Sequence, residues 1–266
     1  MIALLIPVGF SANDHHVVIT YGETTQNNAN YKNIVDNFFK EQTNYDLNNI
    51  EVKTITASEV NKISTGITGK TYTSGEIFSS ALVDINSNSD LKVSVDKSKI
   101  TTITGDMYIS TLKSVGITSG HVYVTSPVSA TGESALAGIM NSYEVATDVK
   151  IPDNVKEAAN KDIYTQSEIV QSSNVSADEL SDLVDDVKEE VKEQNATDHT
   201  TIVNIINNYT TNNNINLSDS DIDKLASSIE KLQETQKDID NYQDQVSDSI
   251  NETGGGSNNF LSGLFG

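Results

Sequence analysis

The stretch "VYVTSPVSATGESALAGIM", Val122 to Met140, decides the fold class. It starts as an apolar, alternating strand, breaks at a proline, passes through small polar residues and continues as a helix with apolar residues at helical spacing. A strand that leads into a helix in this way is typical of layered α/β structure. The turn between them also raises a functional question, because Ser134 follows a glycine and a glutamate near the start of the helix.

Three interpretations fit this turn: a serine nucleophile, a ligand site or a capped helix. A nucleophile elbow has the pattern Gly-x-Ser-x-Gly, and Leu136 stands at the position of the second glycine. The same mechanism needs an acid and then a histidine downstream, and the later histidine, His199, lies in a helical part of the chain. The sequence therefore predicts no catalytic residue here.

The ligand-site interpretation rests on the free backbone N–H groups at the start of a helix, which can hold an anion or another polar group. The residues predicted to line such a ligand-binding site are Ser126, Ser129, Thr131, Gly132 and Ser134. The alternative is structural, since Thr131 can cap the helix and Glu133 already supplies negative charge. The spacing favours the cap and keeps the ligand site as the alternative.

Strand and helix patterns alternate on both sides of this turn. We predict strands at 16–22, 49–56, 76–85, 91–100 and 121–128, and helices at 30–42, 104–117 and 132–147. Turn-forming residues between the third and fourth strands predict a hairpin, and Thr104 is the predicted N-cap of its helix. Residues 15–150 are therefore predicted to form a mixed, layered α/β domain.

A helical pattern replaces this alternation at Pro152, where a helix can begin. Leu180 to Val191 and Ile202 to Tyr209 each carry one apolar face, and a last helix is predicted from about Ser218 to Ile250. Residues 151–252 are thus predicted to form an all-helical hairpin or small bundle. The predicted fold class is α+β, with the helical region following the α/β domain.

Charge and composition exclude several classes of partner. The chain has 38 acidic and 17 basic residues, for a formal net charge of −21. Binding to nucleic acid or to an anionic membrane surface depends on excess Lys and Arg, so neither is expected. The sequence contains 0 cysteines, which excludes disulfides and thiolate metal sites.

The two ends of the sequence have distinct compositions. Residues 1–12 are apolar and end in small residues, like a secretory signal truncated at its basic end. The alternative for this segment is a buried strand. Residues 253–266 form a glycine-rich linker with an apolar tail, which predicts either a weak membrane or partner contact or a terminal segment that folds back on the bundle or is disordered. No run approaches the roughly 20 apolar residues that a transmembrane helix needs.

One acidic segment imitates a calcium loop. Asp219, Asp221, Asp223 and Glu230 occupy its first, third, fifth and twelfth positions. Lys224, however, replaces the glycine of the sharp turn, and Ser218 together with Asp221 gives a capped helix start instead. We therefore predict neither a metal nor a cofactor, with these four residues as the weak metal candidates.

Several segments resemble the domain-of-unknown-function family 1002. They are "YTSGEIFSSALVDI" (72–85), the long stretch from Ser98 to Thr147, "VKEAANKDI" (155–163) and "NNNINLSDSDIDKLASSIEKLQ" (212–233). The family comprises uncharacterised, mostly exported proteins of Gram-positive bacteria and methanogenic archaea. The resemblance implies export, and the family has no established activity or catalytic residues to carry over.

Two functional hypotheses follow. The favoured one is an exported, non-enzymatic protein of the cell envelope or cell surface that binds a polar ligand, an envelope polymer or a surface protein. The alternative is an extracellular hydrolase or lyase acting on envelope material through Glu133, Glu144, Asp106 or Ser134.

Overall fold

The computed structural model describes residues 16–64, 66–67, 69–85 and 90–253. The predicted leader and the apolar tail lie outside the described residues. The strands are Val17–Gly22 (β1), Glu51–Ile55 (β2), Ser80–Asp84 (β3), Lys92–Val95 (β4) and His121–Thr125 (β5). The first helices are Glu23–Gln26 (α1), Ala29–Gln42 (α2), Ala57–Ser64 (α3), Gly105–Ser114 (α4) and Glu133–Thr147 (α5). The later helices are Asp153–Ser172 (α6), Ala177–Glu193 (α7), His199–Asn213 (α8), Asp219–Glu234 (α9) and Gln236–Thr253 (α10). This α+β layout confirms the predicted fold class.

The strands form one mixed sheet in the order β2-β1-β3-β5-β4. Pairs β1–β2 and β4–β5 are parallel, whereas β3 is antiparallel to both of its neighbours. The predicted hairpin between β3 and β4 is wrong, because β5 lies between them. Strand β3 is buried along almost its whole length and lies at the centre of the sheet, next to the largely buried β5. Strand β4, which carries the exposed Lys92, takes the edge.

The two faces of the sheet are covered differently. The inner face carries Val83, Val122 and Val124 into the main hydrophobic core, which also includes residues of α4, α5 and α6. Helix α5 lies directly on the sheet, where Gly138 approaches Thr20. The outer face has a smaller core, in which α2 packs on β1 and β3 and also contacts β5, where Tyr123 lies against this core.

The helical region has its own core between α6, α7, α8 and α9. Helix α10 turns back and buries Ile239, Tyr242 and Val246 in the main core. The single helix predicted for 218–250 is therefore two helices, separated at Thr235, whose hydroxyl donates to the Leu232 carbonyl at 2.8 Å. The break allows the apolar residues of α10 to reach a different core from most of those of α9.

Among the residues described, none of the helices combines the length and the apolar character that crossing a bilayer requires.

Candidate functional site

The turn between β5 and α5 is held against the segment that precedes α4. The N–H of Ala130 donates to the Lys99 carbonyl at 3.0 Å, and the N–H of Thr101 donates to the Ala130 carbonyl at 2.9 Å. The N–H of Ile103 donates to the Thr131 carbonyl at 3.0 Å. These bonds fix the backbone of the predicted ligand site, so its geometry is set by the fold.

Gly132, and not Thr131, is the N-cap of α5. Its φ is +113°, and the helix start has no side-chain cap. A Cβ at this position would lie 2.8 Å from Ile100 and 2.9 Å from the Tyr108 hydroxyl, which donates to the Gly132 carbonyl at 2.5 Å. The prediction that Thr131 caps the helix is wrong, because its hydroxyl donates to the Glu133 carboxylate.

The five predicted ligand residues do not form one accessible surface. Ser126 is fully buried, and its hydroxyl has no hydrogen-bond partner among the described residues. Ser129 is exposed, Thr131 and Ser134 are half-buried, and Gly132 is buried against Tyr108. The geometry therefore gives this turn a mainly structural role, in which it connects β5 to α5 and packs against the segment before α4.

Glu133 is buried at the start of α5 and accepts hydrogen bonds from Thr131 and from Ser167 of α6. Around it lie tyrosines whose hydroxyls stay protonated. The pKa of Tyr164 is raised strongly, by burial above all, and the Glu133 charge adds to the shift. The Tyr164 hydroxyl lies 2.7 Å from that of Tyr72. This cluster joins α5, α6 and the segment before β3.

Glu144, the second buried glutamate of α5, has a similar structural role. Its carboxylate lies 2.6 Å from the Lys156 ammonium and 3.4 Å from that of Lys150, and it accepts the Ile151 N–H at 2.9 Å. Glu133 and Glu144 are about three turns apart, or roughly 16 Å along the helix. They are too far apart for the paired-carboxylate mechanism, which needs at most about 9.5 Å.

The weak metal candidates lie along helix α9. The N–H of Asp221 donates to the hydroxyl oxygen of Ser218, the N-cap, at 3.1 Å, as predicted for a capped helix start. Asp223 and Glu230 both contact His199, at 2.9 and 3.2 Å. Since Asp219 and Glu230 lie on one straight helix, about 16 Å separates the ends of the supposed loop. Within the described ranges, His, Asp and Glu form no group suited to hold a metal ion.

Sequence reasoning missed a polar surface on the outer side of the sheet. We call it the β4–β5 polar face, and it consists of Lys92, Ser94, Asp96, His121, Tyr123 and Thr125. The parallel register pairs Lys92 with His121 and Ser94 with Tyr123, so these side chains share one side of the sheet. The valines that alternate with them face the main core. The alternation was visible in both segments, but only the pairing of β4 with β5 combines the two polar rows.

Hydrogen bonds organise this polar face. The His121 and Tyr123 rings stack with centroids 4.1 Å apart. The two His121 ring nitrogens lie 2.9 Å from the Ser94 hydroxyl and 3.0 Å from the Tyr123 hydroxyl. The Thr125 hydroxyl donates to Asp96 at 2.7 Å. The face is thus a preorganised set of hydroxyl, imidazole and carboxylate groups.

The surroundings of His121 favour the neutral form of its imidazole. Its pKa is lowered below the ordinary value, first by burial and then by the charge of Lys92. A neutral imidazole has one donor and one acceptor nitrogen, which matches its two hydroxyl neighbours. Since Ser94, His121 and Tyr123 are only partly buried, the face can offer hydrogen bonds to a polar ligand.

Comparison with known proteins yields a family and a distant relative. The model of the family described as "Protein of unknown function (DUF1002)" matches residues 21–249. The uncharacterized protein YpuA of Bacillus subtilis (strain 168) is 28% identical over 157 residues, or 58% of this chain and 53% of that protein. The chain thus spans about half the length of this curated relative. No solved structure matches the chain. Because the family model covers most of its length, the chain belongs to the DUF1002 family.

Proposed function

We propose that this protein is an exported, non-enzymatic binding protein of the cell envelope or cell surface. The β4–β5 polar face would contact a polar ligand, an envelope polymer or a surface protein. One observation carries the proposal: polar groups ordered by hydrogen bonds line the outer side of β4 and β5, and Ser94, His121 and Tyr123 among them are only partly buried.

The chemistry of the buried carboxylates supports binding over catalysis. A hydrolase or lyase would require a carboxylate free to exchange a proton with its substrate. Glu133 is engaged by two hydroxyls, and Glu144 by two ammonium groups and a backbone N–H. The groups of the β4–β5 polar face, in contrast, are partly accessible to a ligand. Its stacked aromatic pair and partly exposed hydroxyls provide contact area and directional hydrogen bonds.

Cosedimentation of the purified chain with envelope material from its source tests the binding step. Tyr123→Ala should weaken binding about tenfold, because it removes the stacked ring and one hydroxyl. Tyr209→Ala is the matched control, because Tyr209 is a half-buried tyrosine of α8, far along the chain from the face, that bonds Glu190. Equal loss in both variants, or no loss in either, would contradict the assignment of the face.

The mature N-terminus tests export. Mass spectrometry of medium, envelope and cytosol fractions should find a terminus near Asn13 outside the cytosol, as expected for a cleaved leader. An intact upstream segment recovered only from the cytosol would contradict export and leave the binding role to be judged by cosedimentation.

A further inference from the structure

A concave surface lies on the other side of β4 from the β4–β5 polar face. It is an open pocket of about 440 Å³ between the segment after β4 and the start of α7. We call it the α7 pocket. Its apolar lining comes from Val95, Ile100 and Ile103, and its polar lining includes Thr102, Lys97 and Asp178. The volume lies within the range of about 300 to 1,000 Å³ typical of small-molecule sites.

The position of the pocket in the fold favours ligand binding. In open α/β sheets, ligands bind beyond the carboxyl ends of the parallel strands. Val95 is the last residue of β4, and Lys97 and Thr102 lie in the segment that follows it. The opposite wall belongs to α7, from the helical region. The pocket therefore lies where the α/β layer meets the helical region, a common place for ligand sites.

Two opposite charges on different elements line this pocket. Lys97 comes from the segment after β4, and Asp178 from the first turn of α7. Both side chains are exposed, and neither forms an ion pair with another residue of the described ranges. The lining otherwise consists of threonines and apolar side chains. A ligand with one negative and one positive group would therefore complement both charges.

We propose that the α7 pocket binds a small zwitterion with apolar side chains, of the amino acid or short peptide class. Lys97 receives the carboxylate, and Asp178 receives the ammonium group. The floor formed by Ile100 and Ile103, which are 4% and 2% exposed, contacts the apolar part. Thr102 is placed to add a hydrogen bond from its hydroxyl.

This site is independent of the proposed role of the β4–β5 polar face. Val95 alternates with Ser94 along β4, so the pocket and the polar face use opposite sides of the strand. Either one can bind its ligand without the other. An experiment on the pocket therefore leaves the proposal for the polar face untouched.

L-alanyl-L-alanine is a suitable probe, because it has both charges and small apolar side chains. Titration of the full chain, followed by backbone amide NMR shifts, should perturb Thr102, Ile103 and Asp178. Two analogues each lack one charge: the N-acetylated dipeptide and the C-terminal amide. Each should bind about tenfold more weakly than the dipeptide, since each loses one charge-assisted hydrogen-bond partner.

Substitutions identify which residue receives which group. Lys97→Gln should abolish the preference for the free carboxylate, and Asp178→Asn the preference for the free ammonium. Both residues are exposed, and Asp178→Asn leaves the Ser176–Glu179 capping box intact. The control substitutions Lys192→Gln and Asp182→Asn make the same charge changes on α7 outside the pocket. Both control variants should bind the dipeptide like the unchanged chain.

Three results would overturn the proposal. The first is the absence of NMR shifts in the pocket up to about 10 mM dipeptide, a concentration at which only very weak binding would go undetected. The second is equal affinity for the dipeptide and its two analogues. The third is unchanged affinity for the dipeptide in both charge variants.

Discussion

The Lys188 ammonium of α7 lies 2.6 Å from the carboxylate of Asp162 on α6, and Asp162 is fully buried. Thr111 of α4 donates to the same carboxylate oxygen at 2.6 Å, and Gln166 donates to it at 3.0 Å. Lys188 also reaches the Ser110 hydroxyl of α4 at 3.2 Å. One buried ion pair thus connects a helix of the α/β layer to two helices of the helical region.

We expect Asp162→Ala to lower the free energy of unfolding by about 3–5 kcal/mol, because it leaves the Lys188 charge largely buried without its partner. Replacing both residues, as Asp162→Leu with Lys188→Met, should cost much less, since apolar pairs of similar size often substitute for buried ion pairs. Urea unfolding measures both effects.

The control for this pair is the exposed contact between Lys224 and Glu168, whose side chains are 41% and 59% exposed. Glu168→Ala should change the free energy of unfolding by about 0–1 kcal/mol, because solvent screens such pairs. If Asp162→Ala also changed the free energy of unfolding by only about 0–1 kcal/mol, Asp162 and Lys188 would not be held together in solution.

The start of α5 provides a second prediction. Gly132→Ala should lower the free energy of unfolding by more than about 1 kcal/mol, because alanine is strained at φ +113° and its Cβ would collide with Ile100 and the Tyr108 hydroxyl. Thermal or urea unfolding gives the size of the effect. Gly75→Ala is the control, since its Cβ would have no neighbour closer than 3.9 Å, and we expect a change within about 0.5 kcal/mol. Equal effects at both positions would contradict the packing at Gly132.

The pH dependence of stability provides a third prediction. The pKa of His199 is raised, first by its hydrogen bond to Asp223 and then by Glu230. Because this pKa is higher in the folded than in the unfolded chain, protonated His199 contributes its full stabilisation below the unfolded-state pKa of about 6.5. The contribution is lost as the pH rises through the folded-state pKa.

His199→Asn should therefore destabilise the protein at about pH 5.5 and have little effect at about pH 9. The effect should stay below about 1 kcal/mol, because the His199 side chain is 36% exposed and solvent weakens the pairing. Urea midpoints of both proteins across this range measure it. A difference independent of pH would show that His199 contributes by packing and not by its charge.

Much of the secondary structure followed from local patterns. Strands β1, β2 and β5 and helices α2, α4 and α5 lie within about two or three residues of the predicted segments, since alternation and helical spacing report burial directly. Thr104 accepts the Met107 N–H, and Ser218 accepts that of Asp221. Both caps were predicted because capping depends on residues only three positions apart.

The prediction failed where distant segments compete for the same neighbours. The hairpin between β3 and β4 had good turn residues, yet β5 lies next to β3, because the more buried β5 occupies the interior of the sheet and the more exposed β4 its edge. Thr131 lost its capping role because Tyr108 and Ile100 approach so closely that only glycine fits at the helix start.

By itself, therefore, the sequence determined the positions of most strands and helices, the acidic character and the division into a mixed and a helical part, because these depend on local spacing and composition. It did not predict α1, α3 or the break between α9 and α10. Only the tertiary structure decided which strands are neighbours, which carboxylates are engaged by internal hydrogen bonds and ion pairs, and that Lys92 and Ser94 meet His121 and Tyr123 on one partly exposed face. Such contacts join residues far apart in the chain, and their choice depends on the packing of the whole core.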